Sequence, residues 1–251
     1  MDRVFQFFPR DEQAFMNQPE LIAITPVYNE ETNIATVIRE WLQAFSRERI
    51  DARLLAVNDG SRDNTLSILQ ELQSQFPNQL LVLDKPNSGH GRTCRFGYEA
   101  ALQQDAPWIL QIDSDGQCDP AFFPLLWAKR QEADCVFGLR VTRDDGVVRK
   151  VVSKACSILT SAVTGENLKD ANVPYRLMRR PALENALRSV PRDFEIQNVA
   201  LTLALKRNKA LHWAYVPIRF RARQGGTNSI NLPKIARMGF RMLRQINRVK
   251  K

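Results

Sequence analysis

The stretch WILQIDSDGQCDP, residues 108–120, combines a short apolar run with two carboxylates spaced one residue apart. The run at 108–110 predicts a strand buried on both faces. If the backbone stays extended beyond this run, Asp113, Asp115 and Gln117 point to one side, because alternate residues of a strand share a face. Their oxygens are hard ligands that suit Mg²⁺ or Mn²⁺ and leave positions for substrate phosphate. The alternative is a simple turn, which Asp, Ser and Gly also favour. The position after a buried strand favours the metal site.

The residues before this strand alternate between strand and helix patterns. Apolar runs predict strands at 21–25, 53–57 and 80–83, and helical spacing predicts helices at about 34–45, 64–75 and 91–102. This alternation predicts an α/β fold, a single Rossmann-like domain with a mainly parallel central sheet flanked by helices. Gly89, His90 and Gly91 precede the third helix and are suited to bring backbone N–H groups to an anion, although they lack P-loop spacing.

The second half of the chain has a less regular pattern. It predicts helices at 121–130, 147–163, 181–187 and 195–205, and strands at 135–139, 175–178 and 211–220. The first 20 residues show no clear period and are interpreted as an arm. No linker that would divide the chain is apparent.

Positive charge is concentrated near the end of the chain. Of the net charge of +9, ten Lys or Arg and no Asp or Glu fall from Arg219 onward. Residues 231–251 predict a basic amphipathic helix suited to an anionic membrane surface. The alternative is that its apolar stripe packs on the domain. Few aromatic residues interleave with these charges, which argues against a nucleic-acid partner.

Several classes of protein are disfavoured by composition. The apolar runs are well short of the roughly 18 residues of a membrane span, and the first residues do not resemble a secretory signal. The four cysteines are scattered without a Cys-x-x-Cys pair, which argues against a zinc site and fits reduced thiols. We therefore expect a cytoplasmic protein, peripheral at the cytosolic face of a membrane.

Four motifs in the first half resemble successive motifs of family 2 glycosyltransferases with the GT-A fold. They are TPVYNE at 25–30, VNDGS at 57–61, residues 87–97 and DSDGQ at 113–117. The second half resembles the polyprenyl-phosphate branch, the dolichyl-phosphate mannose synthase type, through residues 138–140, 149–153, 170–176, 216–218 and 223–226. The resemblance implies a GT-A domain at 21–230, with a nucleotide-binding half at 21–117 and an acceptor half at 118–230. The sequence departs from the family pattern at Asn58, at His90 and in the GGTNS that follows residue 224.

The resemblance also implies roles for the matched polar positions. The nucleotide would be bound by Pro26, Tyr28, Glu30, Asp59 and Asp113, and the metal, Mg²⁺ or Mn²⁺, by Asp113, Asp115 and Gln117. The donor diphosphate or the acceptor phosphate would be contacted by Arg140, Arg149, Ser153 and Arg223. The catalytic set would be Asp113, Asp115 and Asp170.

The implied activity is an inverting transfer of a sugar from a GDP- or UDP-linked donor to a polyprenyl phosphate at the cytosolic membrane face. The alternative acceptor is a hydroxyl of a glycan or lipid, which needs a general base. Asp170 is the candidate for that base, and its alternative role is a structural cap or salt-bridge partner. A nucleotidyltransferase is disfavoured, because residues 25–30 lack the glycine-rich loop with a catalytic Arg or Lys expected of that class.

Overall fold

The predicted alternation of strands and helices is present in the computed structural model of the chain, which describes residues 18–142, 170–194 and 196–221. The strands are β1 (Leu21–Val27), β2 (Ala52–Asn58), β3 (Leu80–Asp84), β4 (Trp108–Gln111), β5 (Cys135–Thr142), β6 (Arg176–Arg179) and β7 (Trp213–Arg219). The helices are α1 (Ile34–Arg47), α2 (Thr65–Gln75), α3 (His90–Ala101), α4 (Phe123–Lys129), α5 (Arg180–Ser189) and α6 (Gln197–Arg207), with a short 3₁₀ helix at Pro120–Phe122.

These strands form one sheet in the order β3-β2-β1-β4-β6-β5-β7. β1 lies parallel to β2 and β4, β2 to β3, and β5 to β7. β6 is antiparallel to both of its neighbours, β4 and β5. The carboxyl ends of the other six described strands therefore lie at one edge, here called the carboxyl edge. The prediction of a mainly parallel α/β sheet flanked by helices is confirmed.

β1 continues two residues further than predicted, through Pro26 to Val27, and all of its residues are buried. A proline in a central strand normally removes a ladder hydrogen bond. Here the Ile112 N–H donates to the Ile24 carbonyl on the β4 side at 3.0 Å, and Val27 accepts from Asp59 on the β2 side at 2.8 Å. Because successive residues face opposite neighbours, the Pro26 nitrogen faces the β4 side, where the regular pairing has already ended.

An aromatic cluster joins α1, α4 and the start of β6. Trp41 packs edge-on against Phe123 and Tyr175, with ring centroids 6.0 and 5.5 Å apart. Phe45 contacts Phe123 in the same way at 5.1 Å. Edge-to-face contacts of this kind are favoured by the ring quadrupoles. The cluster fixes α1 to the part of the chain that follows the carboxylate motif.

The second half differs from its prediction in detail. The helix predicted at 121–130 is divided, because Asp119 caps a 3₁₀ turn through the Ala121 N–H at 2.9 Å before α4 begins. The helices predicted at 147–163 and 231–251 and nearly all of the N-terminal arm lie outside the described residues. No helix in the described part of the chain is both long and apolar enough to cross a membrane.

Candidate functional site

The loops after β1 and β2 meet at the carboxyl edge and bind each other reciprocally. The Asn29 N–H donates to Ser61 Oγ at 3.0 Å, and Asn29 Oδ1 accepts from the Arg62 N–H at 2.9 Å. Two residues on, Glu31 accepts from the Asn64 N–H at 2.9 Å. Asn29 adopts a positive φ of 53°, which asparagine tolerates better than most residues. These bonds preorganise the edge that carries the predicted nucleotide-binding residues.

The predicted nucleotide-binding residues of the first loop differ in exposure. The Tyr28 side chain is 42% exposed, whereas Pro26 and Glu30 are buried. Glu30 Oε2 accepts from Asn33 Nδ2 at 3.2 Å, so the carboxylate lies at the start of α1. Of the three predicted nucleotide-binding residues of this loop, Tyr28 therefore presents the most surface to solvent.

Asp59 holds the loop between β3 and α3. Its carboxylate accepts from the N–H groups of Ser88 and Gly89, each at 2.9 Å, and forms an ion pair with Lys85. Burial raises the pKa of Asp59, but the hydrogen bonds from Lys85 and Ser88 lower it further, so the pKa is below its ordinary value. The anion near the glycine turn is therefore the protein's own carboxylate. The role of Asp59 in reading the nucleoside stays a prediction.

The carboxylate motif after β4 is a turn and not the extended segment that we expected. β4 ends at Gln111, Asp115 lies in a turn, and Gly116 takes a positive φ of 75°. Asp115 Oδ1 accepts from the Gln117 N–H at 3.1 Å, which closes the turn locally. The alternation argument that joined Asp113, Asp115 and Gln117 is therefore wrong, because a local side-chain bond competes with extended backbone. The assignment of these three residues to a metal stays a prediction.

A buried oxygen of Asp113 supports a metal site independently of the backbone geometry. Its Oδ1 atom is buried and accepts no hydrogen bond from any described residue, although the side chain as a whole is 28% exposed. A buried carboxylate oxygen without a partner is costly unless something else binds it. No three His, Cys, Asp or Glu side chains in the described ranges cluster as a complete metal site. Mg²⁺ commonly uses only one or two carboxylates plus substrate phosphates, so the residues present fit such an ion.

A chain of polar side chains leads from the core to Asp113. Tyr98 on α3 donates to Gln111 at the end of β4, and Gln111 Nε2 lies 3.7 Å from Cys94 Sγ. Cys94 Sγ lies 3.5 Å from His90 Nε2, which is 3.9 Å from Asp113 Oδ1. The neighbouring Cys94 and the carboxylate of Asp113 raise the pKa of His90 above its ordinary value, against the desolvation that lowers it. Because the His90 side chain is 55% exposed, water screens these charges.

Asp170 and Arg140 form a bidentate ion pair. Arg140 Nε donates to Asp170 Oδ2 at 2.7 Å, Nη2 donates to the other oxygen, and the side chains are only 12% and 9% exposed. The Arg140 guanidinium also lies over the Phe220 ring, 5.2 Å from its centroid. The salt-bridge alternative for Asp170 is thus present in the structure. Roles of Asp170 in catalysis and of Arg140 in phosphate binding stay predictions.

Arg176 fixes the segment that carries Asp170. It is fully buried and donates to the carbonyl oxygens of Val173 at 2.9 Å, Asn198 at 3.0 Å and Ala171 at 3.3 Å. Burial lowers the pKa of this guanidinium. The left-handed φ of 43° at Asp170 is therefore held from inside the protein.

Sequence reasoning did not find Lys85 or Arg221 as site residues. Arg221 donates to Glu40 Oε2 at 2.6 Å and to Asp119 Oδ1 at 2.7 Å. Both partners are more than 100 positions away in the chain, so no local pattern signals these contacts. Three predicted phosphate-contacting residues, Arg149, Ser153 and Arg223, lie outside the described residues.

Comparison with known proteins defines the class. The family model described as Glycosyl transferase family 2 matches residues 22–187, so the chain belongs to that family. Solved structures with the same GT-A fold include glucosyl-3-phosphoglycerate synthase from Mycobacterium tuberculosis with Mn²⁺, uridine diphosphate and phosphoglyceric acid. It is 17% identical with a TM-score of 0.66, over 93% of this chain and 80% of that one. Mannosyl-3-phosphoglycerate synthase from Rubrobacter xylanophilus is 16% identical with a TM-score of 0.63, over 93% and 76%.

Curated relatives of greater sequence similarity include undecaprenyl-phosphate 4-deoxy-4-formamido-L-arabinose transferases. The protein of Photorhabdus laumondii is 28% identical over 195 residues, which are 77% of this chain and 59% of the relative. That of Pectobacterium atrosepticum is 26% identical over 222 residues, or 88% and 65%. The chain spans less than two thirds of the length of these relatives. The predicted resemblance to family 2, polyprenyl-phosphate type, is confirmed.

Proposed function

We propose that this chain is an inverting glycosyltransferase that moves a sugar from a nucleoside diphosphate to a polyprenyl phosphate, with Mg²⁺ or Mn²⁺ as cofactor. The observation that carries the proposal is the buried Asp113 Oδ1, which accepts no hydrogen bond from any described residue and lies beside Asp115 at the carboxyl edge. Asp113, Asp115 and Gln117 would hold the ion. When bound, the ion supplies positive charge that stabilises the leaving nucleoside diphosphate.

The nucleoside would be bound by the preorganised first and second loops. Tyr28 offers the exposed surface, and Pro26, Glu30 and Asp59 give the loops their shape. Solved relatives bind uridine diphosphate with Mn²⁺ or Mg²⁺, which supports a nucleoside diphosphate as the ligand class. The donor is either UDP- or GDP-linked.

The pairing of Asp170 with Arg140 favours an anionic acceptor over a hydroxyl. A hydroxyl acceptor needs a base that removes its proton, whereas a phosphate is already anionic and needs little help. Both oxygens of Asp170 already accept hydrogen bonds from the Arg140 guanidinium, which favours a structural role over that of a base. The names of the undecaprenyl-phosphate relatives support the same acceptor class. Arg149, Ser153 and Arg223 would contact the donor diphosphate or the acceptor phosphate, since arginine binds phosphate bidentately.

The encounter with the acceptor would take place at the cytosolic face of a membrane. A polyprenyl chain is insoluble in water, so the enzyme must reach it in a bilayer. The basic residues after Arg219 would attract anionic lipid by about 1 kcal/mol each near the surface. Residues 231–251 would supply the apolar contact.

The test is transfer by the full chain, measured by mass spectrometry of the lipid product. UDP- and GDP-sugars are each offered with undecaprenyl phosphate or the matching polyprenol in anionic vesicles, with Mn²⁺ or with EDTA. We expect a sugar-phosphate-lipid product that requires both Mn²⁺ and the lipid phosphate. Asp115→Asn should lower transfer about 100-fold or more, while Asp134→Asn, a carboxylate near the opposite edge, should not. Equal transfer to the polyprenol would favour the hydroxyl alternative, and transfer in EDTA would exclude the metal role.

A further inference from the structure

We propose that Arg221 is a positioning residue that fixes the metal-binding loop, residues 112–119, to α1 and to the backbone that follows β7. The inference rests on the proposed function, because it concerns the geometry of that metal site. Arg221 would act through this loop, without contacting the donor or the acceptor itself.

The guanidinium of Arg221 joins two elements that the chain does not connect locally. Nη1 donates to Glu40 on α1 at 2.6 Å, and Nη2 donates to Asp119 at 2.7 Å. Asp119 is the last residue of the metal-binding loop and also caps the 3₁₀ helix. Its carbonyl accepts from Tyr175, a member of the aromatic cluster, at 3.3 Å. The loop is thus anchored at its distal end from three sides.

The backbone of Arg221 binds the same loop directly at Gln117. The Arg221 N–H donates to the Gln117 carbonyl at 3.1 Å, and Gln117 Nε2 donates to the Arg221 carbonyl at 3.4 Å. With its nitrogen used in this way, the Gln117 amide keeps Oε1, its only possible metal ligand, on the other side of the group. The orientation of a predicted ligand therefore depends on where Arg221 lies.

A positioning role and a merely stabilising role predict different effects of removing Arg221 on stability and on ligand binding. The Arg221, Glu40 and Asp119 side chains are between 21% and 37% exposed, so each ion pair contributes little to the stability of the fold. Removal of a group that orients a metal ligand without contacting the metal typically lowers metal affinity or activity by 10- to 100-fold. Loss of Arg221 should therefore affect ligand binding far more than melting temperature.

The experiment measures binding of UDP and of GDP to the full chain in Mn²⁺ by calorimetry, together with the melting temperature of each variant without ligand. Arg221→Gln should weaken the metal-dependent binding about 10-fold or more, with a small change in melting temperature. The nucleotide affinity of Arg221→Lys should lie between those of the wild type and Arg221→Gln, because one ammonium group cannot reproduce the two hydrogen-bonding arms of the guanidinium. The matched control is Arg180→Gln. Arg180 also joins an ion pair and two carbonyl oxygens, but it lies near the opposite edge of the sheet.

The outcomes separate the two proposals. Unchanged binding in Arg221→Gln overturns the positioning role and leaves the proposed function standing. Absence of metal-dependent binding of either nucleotide to the wild-type chain overturns the proposed function, and this inference with it. If Arg221→Gln does not fold, Glu40→Gln provides the test, since it removes one ion pair and leaves Arg221 in place. It should weaken binding severalfold, and wild-type affinity in Glu40→Gln would count against the role.

Discussion

Two buried ionised side chains, Arg176 and Asp59, hold the loops of the candidate site from within. Arg176 is fully buried, and its donors are directed to backbone carbonyl oxygens and to the Thr202 hydroxyl. Asp59 is 3% exposed and accepts from two consecutive backbone N–H groups. A buried charge is tolerated only when it is hydrogen-bonded. Each of these groups therefore gives one loop a single conformation.

Arg176→Met should lower the free energy of unfolding by about 3 kcal/mol, because several buried carbonyl oxygens lose a charged donor. Urea unfolding of the wild type and the variant measures the difference. Arg179→Met on the same strand is the control, since the Arg179 side chain is 52% exposed and its ion pair with Asp134 contributes at most about 1 kcal/mol. Equal losses in the two variants would contradict the role of burial.

Asp59→Asn should destabilise the protein in a manner that depends on pH. The folded-state pKa of Asp59 is lowered below 3.8, so its carboxylate stabilises the fold above that pH and loses this effect as the pH falls through the folded pKa. The gap in unfolding free energy between wild type and variant should be largest at pH 7 and shrink below about pH 4. Urea titrations at pH 7, 5 and 3 test this, with the exposed Asp51→Asn as control. A gap that stays constant with pH would exclude the ion pair as its source.

Among the elements, the pairing of β5 with β7 depends on Gly138. A methyl group at Gly138 would overlap Ile218 Cδ1 and come within 3.2 Å of its Cγ1 and 3.3 Å of Tyr175 Cβ. Ile218 is itself fully buried and has little room to move. The glycine therefore permits a close approach of β5 and β7 two residues before Arg140, which is still paired with Ile218.

Gly138→Ala should lower the free energy of unfolding by about 1–3 kcal/mol through overpacking. Ile218→Val removes the overlapping methyl group and alone should cost about 1 kcal/mol. The double variant should be more stable than Gly138→Ala, as measured by urea unfolding. If the two losses simply add, close packing against Ile218 is not the reason for the glycine.

Elements were easier to predict from the sequence than the geometry of the site. Apolar runs such as 108–110 and 53–57 predict their strands because burial on both faces leaves a continuous apolar signal. The turn at Asp115 was only the less favoured alternative in the sequence analysis, and a hydrogen bond from the Gln117 N–H to its side chain replaces the expected extended backbone. The predicted end of β1 came too early because proline cannot donate a ladder hydrogen bond. The sequence does not show that the Pro26 nitrogen faces β4 beyond the end of the regular pairing, where no such bond is needed.

For the molecule as a whole, the contacts that assemble the site join residues far apart in the chain. Arg221 pairs with Glu40 across 181 positions, and Arg140 pairs with Asp170 across 30. A single sequence contains the charges but not their pairing, so Asp170 remained both a candidate base and a candidate salt-bridge partner. The carboxyl edge itself was predictable, because parallel strands place their ends together.

The reversed strand β6 determines how the chain can be divided. β6 comes from the second half of the sequence but lies between β4 and β5, and it covers one side of β4, whose residues are all buried. A break between residues 117 and 118 would leave β4 with an open row of N–H and C=O groups, which is a template for aggregation.

We expect a fragment of residues 1–117 to be insoluble when expressed alone and to become soluble when residues 118–251 are coexpressed, as judged by sedimentation and gel filtration. A soluble monomeric 1–117 fragment would contradict this. The two parts of the chain on either side of this boundary should therefore not be exchangeable between relatives, and a functional chimera should take β4 and β6 from the same parent.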